Sequence, residues 1–163
     1  EVAEDDLRPF DIAKSLAYRK AVNVHELSSG INMEAIVIGA DTIVAANDRI
    51  LGKPVDEADS FNMLSELSGK WHEVVTGVSV IGKNSGLEIT EAEVTRVKFH
   101  KLSKDTILNY IKTQEPEDKA GGYGIQGLGA LLVEKIEGCY YNVVGLPIAR
   151  LSRILEKFNI RVL

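Results

Sequence analysis

A short apolar run, Ala35 to Val44, constrains the fold of this chain more than any other stretch. Its residues are mostly β-branched, which predicts a buried strand, and we expect that strand to stop at Gly39. Asp41 and Thr42 would then emerge where the chain leaves the core. A carboxylate at a strand end can hold a divalent metal or orient a water molecule. A strand followed by an ordinary polar turn would explain the same residues, so both interpretations stay open at this point.

A hairpin is predicted immediately after this strand. Residues 47–49 are typical of a turn, and the chain returns through Ile50 and Leu51. The return would bring the ammonium group of Lys53 beside Asp41. A carboxylate beside an ammonium group is typical of a site for phosphate esters, because a fixed cation stabilises the negative charge of the phosphate.

A glycine-rich stretch, residues 118–129, is the second informative feature, with five glycines among its twelve residues. Glycine lets the backbone adopt positive φ and approach a ligand closely, and exposed N–H groups suit phosphate oxygens or the edge of a base. Asp118 and Lys119 add one charge of each sign, and Gln126 offers a donor and an acceptor together. The spacing fits neither the P-loop nor the dinucleotide-binding fingerprint. A flexible connector remains the alternative interpretation of these glycines.

Hydrophobic periodicity predicts the remaining elements. An amphipathic helix from Phe10 to Leu27 carries Lys20 in its later turns, and Asp56 and Ser103 have the positions of helix caps. Helices are predicted over 57–67, 104–112 and from 148 onward, and strands over 73–81, 87–100, 130–136, 140–144 and 160–163. The strands over 73–81 and 87–100 are separated by a short turn and should pair antiparallel. No repeat or long linker divides the chain, so one domain is expected.

Charge and composition exclude several functional classes. The chain has 163 residues, and 19 Lys and Arg residues against 24 Asp and Glu residues give a net charge of −5. This balance argues against a nucleic-acid polymer as partner but leaves a small anionic ligand open. No apolar run approaches the ~18 residues needed to span a bilayer, so no membrane partner is expected. A single cysteine, Cys139, rules out an intrachain disulfide and suits a reducing compartment, and we expect a cytoplasmic location.

Taken together, these stretches resemble the Maf family of nucleoside triphosphate pyrophosphatases, and the similarity spans nearly the whole chain in the right order. The matching segments are Gly39-Ala40-Asp41-Thr42, Lys53-Pro54, Leu67-Ser68-Gly69 with His72, Thr76-Gly77-Val78, Asp118 to Gly121, Ile125-Gln126-Gly127 and Val143 to Pro147.

The resemblance implies both a fold and a reaction. The fold is a single α/β domain over 1–163, similar to that of inosine triphosphatases, in which helices flank a mixed, strongly curved sheet and two lobes enclose a cleft. The reaction cuts a nucleoside triphosphate between its α and β phosphates and releases the monophosphate and pyrophosphate. The implied cofactor is Mg²⁺ or Mn²⁺, the implied partner is the small-molecule nucleotide, and the implied assembly is a homodimer.

The resemblance also assigns roles to individual residues. Asp41 takes the place of the family's catalytic base, and Lys53 matches the lysine in the cleft. Lys20 matches the lysine at the end of the family's first long helix. Glu1, or else Glu4, falls where the family has a further acidic residue. Our hypothesis is that the metal lies near Asp41 and Glu1, and that Asp41 orients or deprotonates the attacking water.

Four further positions are predicted to bind substrate. Thr42 and Gln126 fall on positions that separate subgroups of the family, and this combination is similar to the branch that acts on dTTP and UTP. Asp118 and Lys119 belong to the glycine-rich stretch. Lys20, Lys53 and Lys119 are expected to neutralise phosphate charge, which makes Lys20 a substrate-binding residue as well. The loop with Gln126 is expected to read the base.

The chain departs from the family at its start. Members open with a first strand and a Ser-x-Ser-Pro-Arg-Arg loop, which supply phosphate-binding and specificity groups, and nothing in this sequence matches them. We therefore expect a domain without that strand and loop. Two alternatives to the dTTP and UTP activity stay open: hydrolysis of non-standard purine nucleotides such as ITP and XTP, or nucleotide binding without cleavage in the control of growth or division.

Overall fold

The computed structural model describes residues 8–27, 35–47, 49–83 and 85–163. Its helices are α1 (Pro9–Leu27), α2 (Glu57–Leu67), α3 (Lys104–Ile111), α4 (Tyr140–Val144) and α5 (Ile148–Glu156). Its strands are β1 (Ile36–Ala46), β2 (Arg49–Leu51), β3 (Trp71–Gly82), β4 (Glu88–Phe99) and β5 (Val133–Glu137). Short 3₁₀ turns cover Ala120–Gly122 and Gly127–Leu132. Within these ranges no helix is long and apolar enough to cross a membrane.

The strands form one sheet in the order β2-β1-β3-β4-β5, and helices flank it. The expected α/β domain is therefore confirmed, but the expected mixture of strand directions is wrong for the described strands. All four of their pairings are antiparallel. Short turns join β1 to β2 and β3 to β4, and a short turn can connect only antiparallel neighbours. The predicted hairpin after β1 and the predicted pairing of β3 with β4 are both confirmed.

Helix α1 packs on the sheet through a stripe of small residues. Ala13, Ala17 and Ala21 recur every four residues on one helical face and are fully buried. They lie over two glycines of the sheet: a Cβ atom on Gly39 would lie 2.4 Å from the Ala17 carbonyl oxygen, and one on Gly77 would lie 2.1 Å from that of Ala13. Only glycine lets the helix backbone come this close to the strands.

The same contact corrects one prediction. Strand β1 does not stop at Gly39 but continues to Ala46, so Asp41 lies in the middle of the strand. The glycine marks the approach of a helix to the strand, which a single sequence does not distinguish from a strand end.

The opposite face of the sheet carries the larger core. Val44, Leu64, Val74 and Phe99 are among its buried residues, and they join β1, β3 and β4 to α2 and α3. Both predicted helix caps are confirmed. The Asp56 side chain accepts from the backbone N–H of Asp59 at 2.7 Å, and that of Ser103 accepts from Thr106 N–H at 3.1 Å, so each satisfies an N–H that the first helical turn leaves unpaired.

Toward the C-terminus two predictions of strands fail, and the strand predicted over 130–136 is confirmed only from Val133 onward. Residues 140–144 form helix α4, residues 130–132 belong to a 3₁₀ turn that precedes β5, and residues 160–163 have no regular structure. The residues 140–144 are aromatic and β-branched, as in strands, but such preferences yield to tertiary contacts over a short stretch. Asn159 adopts φ +61°, and Ile160 N–H donates to the Leu155 carbonyl at 3.1 Å, which ends α5.

The packing of α1 on Gly77 generates a stability prediction. Gly77→Ala should lower the free energy of unfolding by about 2–3 kcal/mol, because the new Cβ meets backbone atoms that cannot move aside. Gly52→Ala is the matched control, since a Cβ on Gly52 has no atom within 4 Å, and it should change stability by less than about 0.5 kcal/mol. Urea unfolding of both variants measures the difference. Equal midpoints would contradict the close approach of helix and sheet.

Candidate active site

A cavity of about 590 Å³ lies at the edge of the sheet where β2 stops. Strand β2 pairs only with Val44, Ala45 and Ala46, so the preceding part of β1 has no partner on that side among the described strands. Successive residues of a strand point to opposite faces of the sheet. At an uncovered edge both faces border the same space, which explains why Asp41 and Thr42 line one cavity.

The cavity brings together all but one of the residues predicted from the sequence. Its lining includes Lys20, Asp41, Thr42, Lys53, Asp118, Lys119 and Gln126. These residues come from α1, β1, the segment after β2 and the glycine-rich stretch, so only the tertiary fold makes them neighbours. The exception is Glu1, which, like Glu4, lies outside the described residues.

Lys20 reaches the carboxylate of Asp41 from the helix above it. Its Nζ donates to Asp41 Oδ1 and, at 3.4 Å, to the carbonyl oxygen of Ala40. The lysine side chain is 58% exposed, whereas that of Asp41 is only 18% exposed. The carboxylate is thus held in the sheet, while the ammonium group sits on a flexible stem that can move toward an anion in the cavity.

A second pair of charges in the cavity lining comes from the glycine-rich stretch. Lys119 Nζ donates to Asp118 Oδ1 at 2.6 Å, and this bond holds the pKa of the Asp118 carboxyl below its usual value. The positive charge of Lys53 also lowers the pKa of Asp118. Lys53 makes no ion pair with any carboxylate in the described ranges. The N–H of Gly121 donates to the carbonyl of Gly52 at 3.0 Å, which ties the glycine-rich stretch to the residue before Lys53.

The glycine-rich stretch is closed on itself and does not form an open cradle of N–H groups. Leu128 N–H and Gly129 N–H donate to the carboxylate of Glu115 at 3.0 and 3.2 Å. Gly124 N–H donates to the hydroxyl oxygen of Tyr110 at 3.3 Å. These three amides point away from a ligand, contrary to the expectation that the glycines expose N–H groups. The side chain of Gln126 is exposed and lines the cavity, as expected.

A chain of buried hydrogen bonds supports the cavity from behind, and sequence reasoning missed its central residue. Thr42 Oγ1 lies 2.9 Å from Thr76 Oγ1, and the Thr76 hydroxyl donates to the backbone carbonyl of Asn142 at 3.1 Å. The Asn142 amide in turn donates to Val74 O at 2.9 Å and to Thr95 Oγ1 at 3.0 Å. Asn142 is fully buried and fixes α4, whose last residues border the cavity.

The hydrogen-bond chain also determines how Thr42 meets a ligand. A hydroxyl has one proton to donate, and the Thr42 proton has two acceptors in reach, the Thr76 oxygen at 2.9 Å and the Gly145 carbonyl at 3.5 Å, so either bond uses it inside the protein. The Thr42 oxygen then has lone pairs available as acceptors. The sequence signal for Asn142 is an amide within an otherwise apolar run, a pattern that predicts a strand.

His72 and Tyr123 form a buried polar pair behind the cavity. His72 Nε2 lies 2.7 Å from the Tyr123 hydroxyl, and both rings pack edge-to-face against Phe99. Burial lowers the pKa of His72 to about 4 and raises that of Tyr123. The imidazole is therefore neutral at pH 7, and the pair holds Tyr123 where it borders the cavity.

The described residues do not form a protein cage for a metal. Within them no group of three or more His, Cys, Asp or Glu side chains could hold an ion, and the cavity offers the carboxylates of Asp41 and Asp118. Mg²⁺ is commonly bound by one or two carboxylates together with the phosphates of a substrate. A donor set of two carboxylates fits an ion that arrives with a polyphosphate.

Comparisons with known proteins extend these observations over nearly the whole chain. A family model described as Maf-like protein matches residues 1–158. A protein of Acetivibrio thermocellus named dTTP/UTP pyrophosphatase is 49% identical over 166 residues, covering 100% of this chain and 82% of that protein. Proteins with the same name from Thermosipho melanesiensis and Bacillus cereus are 54% and 53% identical. They cover 90% and 94% of this chain, and this chain covers 76% and 78% of them.

The buried histidine predicts how stability depends on pH. The unfolded chain takes up a proton on His72 below about pH 6.5, whereas the folded imidazole stays neutral down to about pH 4. The free energy of unfolding should therefore fall as the pH drops through this window, by up to about 3 kcal/mol from this group. His72→Gln should flatten the slope, and the exposed His100→Gln is the control. Urea unfolding between pH 7 and pH 4.5 measures how the free energy of unfolding depends on pH. Parallel slopes for the unaltered chain and both variants would refute the predicted contribution of His72.

Proposed function

This chain belongs to the Maf family, and on that premise we propose that it hydrolyses nucleoside triphosphates, with dTTP and UTP as the preferred substrates. Water would attack the α phosphorus, and the bond from that phosphorus to the oxygen bridging to the β phosphate would break. The products are the nucleoside monophosphate and pyrophosphate. The names of the relatives support this substrate class, since those proteins are about half identical to this chain over most of its length.

One observation carries the proposal: three ammonium groups and a held carboxylate line a single cavity. Lys20, Lys53 and Lys119 converge on it with Asp41. The volume of about 590 Å³ lies within the range typical of small-molecule sites. Fixed cations are the main means by which enzymes stabilise the charge that develops on a polyphosphate during its hydrolysis.

Asp41 is the group best placed to act on water. The antiparallel partner β3 holds it in register opposite Gly77, and its side chain is mostly buried. As a carboxylate it can accept a proton or a hydrogen bond from the attacking water. In the free protein Lys20 occupies the Asp41 carboxylate. Substrate phosphates would compete for Lys20 and so release an oxygen of Asp41 for the water.

We propose that a divalent cation, Mg²⁺ or Mn²⁺, accompanies the triphosphate. Asp41 would be its protein ligand among the described residues, and Glu1 is proposed as a further one. A divalent cation in such a site neutralises negative charge on phosphate oxygens. Asp118, paired with Lys119, would limit how far that lysine can move when phosphate is absent.

Thr42 and Gln126 are proposed to recognise the base. Thymine and uracil present an N–H donor between two carbonyl acceptors. The Thr42 oxygen has acceptor lone pairs, and Gln126, which lines the same cavity, supplies both a donor and an acceptor. A site that must pair a donor between two acceptors discriminates strongly against bases that lack this pattern.

A panel of nucleoside triphosphates tests the substrate class. Pyrophosphate release should be fastest from dTTP and UTP in the presence of Mg²⁺ or Mn²⁺, and a chelator should abolish it. Faster release from ITP and XTP would replace the proposal with a purine house-cleaning activity. Binding of triphosphates without any release would replace it with the regulatory alternative.

The role of Asp41 generates its own prediction. Asp41→Asn should lower kcat for dTTP by ~100-fold or more, because the amide is a much poorer base than a carboxylate. The fold should persist, since the substitution keeps the side-chain size. Asp105→Asn, on the exposed first turn of α3, is the matched control and should leave kcat unchanged. Steady-state kinetics measures kcat, and circular dichroism checks that the variants are folded. Near-normal turnover by Asp41→Asn would exclude Asp41 as the base that acts on water.

A further inference from the structure

We infer that Glu115 is a positioning residue that holds the loop over 124–129 and thereby places Gln126 for recognition of the base. The inference rests on the proposed function, because it explains how that function reaches its base specificity. Glu115 lies just beyond α3 and does not itself line the cavity.

The carboxylate of Glu115 accepts three hydrogen bonds. Its Oε2 accepts from Leu128 N–H at 3.0 Å, and its Oε1 accepts from Gly129 N–H at 3.2 Å. The hydroxyl of Tyr110 donates to Oε1 at 3.4 Å. Hydrogen bonds to an ionised acceptor are roughly twice as strong as those between neutral groups. Two adjacent backbone amides are thus fixed by one carboxylate.

The other end of the loop rests on the same pair of side chains. Gly124 N–H donates to the Tyr110 hydroxyl oxygen at 3.3 Å, while that hydroxyl donates to Glu115. Gln126 lies midway between the two anchored ends, two residues after Gly124 and two before Leu128. Burial raises the pKa of Tyr110 to about 12, so its hydroxyl remains protonated near pH 7. It can therefore accept from Gly124 N–H and donate to Glu115 at the same time.

The glycines of the loop show how closely it fits the carboxylate. Gly127 adopts φ +68°, and a Cβ there would lie 2.8 Å from Glu115 Oε1. A Cβ on Gly129 would lie 2.0 Å from the carbonyl oxygen of Gly124. The loop therefore closes against Glu115 and against its own start, and its glycines are required by this closure. With both ends fixed, the side chain of Gln126 enters the cavity from a defined backbone position.

A double-mutant cycle tests whether Glu115 acts through Gln126. Glu115→Gln should raise the KM for dTTP by about tenfold, since a neutral amide holds the loop amides less strongly, and should change kcat by less than about threefold. In a Gln126→Ala background the same change should raise KM by less than about threefold, because the group that Glu115 positions is gone. Glu117→Gln is the control and should leave KM unchanged, because Glu117 is an exposed carboxylate two residues away with no side-chain hydrogen bond or ion pair to this loop in the described structure.

A second readout does not depend on turnover. Amide hydrogen exchange over 124–129 should be faster in Glu115→Gln than in the unaltered chain and unchanged in Glu117→Gln. Tyr110→Phe, which removes only the hydroxyl, should accelerate exchange at Gly124 and serves as the second variant if Glu115→Gln does not fold. If the unaltered chain cleaves no triphosphate, the proposed function fails, and dTTP binding affinity then replaces KM in the cycle.

The inference is overturned by any of three results. The first is that the effects of Glu115→Gln and Gln126→Ala on KM, or on dTTP affinity, add independently. The second is that Glu115→Gln lowers kcat and leaves KM unchanged. The third is that exchange over 124–129 stays at the rate of the unaltered chain in both Glu115→Gln and Tyr110→Phe.

Discussion

The close approach of α1 to the sheet is the constraint on which the rest of the structure depends. Two glycines, Gly39 in β1 and Gly77 in β3, leave no side chain between the helix and the strands, and three alanines on the helix fill the space. Because the helix lies so near the sheet, Lys20 in its later turns reaches the carboxylate of Asp41. A larger residue at either glycine would lift the helix and separate these two groups.

A second constraint is the shortness of β2. A three-residue strand covers only the end of β1, and no other described strand pairs with the backbone around Asp41 on that side. Elsewhere an unpaired edge invites aggregation, but here the glycine-rich stretch and the end of α4 surround it and turn it into a cavity. The bond from Gly121 to Gly52 joins the stretch to the hairpin, so that three lysines from separate parts of the chain face one space.

Most polar groups behind the cavity are paired, although Nδ1 of His72 and Oδ1 of Asn142 are buried without a hydrogen-bond partner among the described residues. Thr42, Thr76, Asn142 and Thr95 form one continuous series of hydrogen bonds across the sheet. In the glycine-rich stretch, the Glu115 carboxylate and the Tyr110 hydroxyl accept hydrogen bonds from backbone amides. Buried polar groups with satisfied partners specify one arrangement, since breaking a bond would leave a donor or acceptor without water. At the cavity, Lys53 and Gln126 make no side-chain hydrogen bond or ion pair in the described structure, while Lys20 and Lys119 are each held by one carboxylate, and all four are groups that a charged nucleotide can use.

Local sequence patterns are sufficient to predict the long elements and the residue types of the site. Periodicity over α1, β3 and β4 is long enough to be decisive, and the caps Asp56 and Ser103 mark helix starts by local chemistry alone. The tertiary structure decided what depends on distant partners. It made residues 140–144 a helix, because Asn142 bonds to β3 and β4, and it turned the loop amides toward Glu115. It also placed a helix over Gly39, where a strand end was expected. Each of these outcomes depends on contacts between residues far apart in the chain, whose energies are not visible in local sequence patterns.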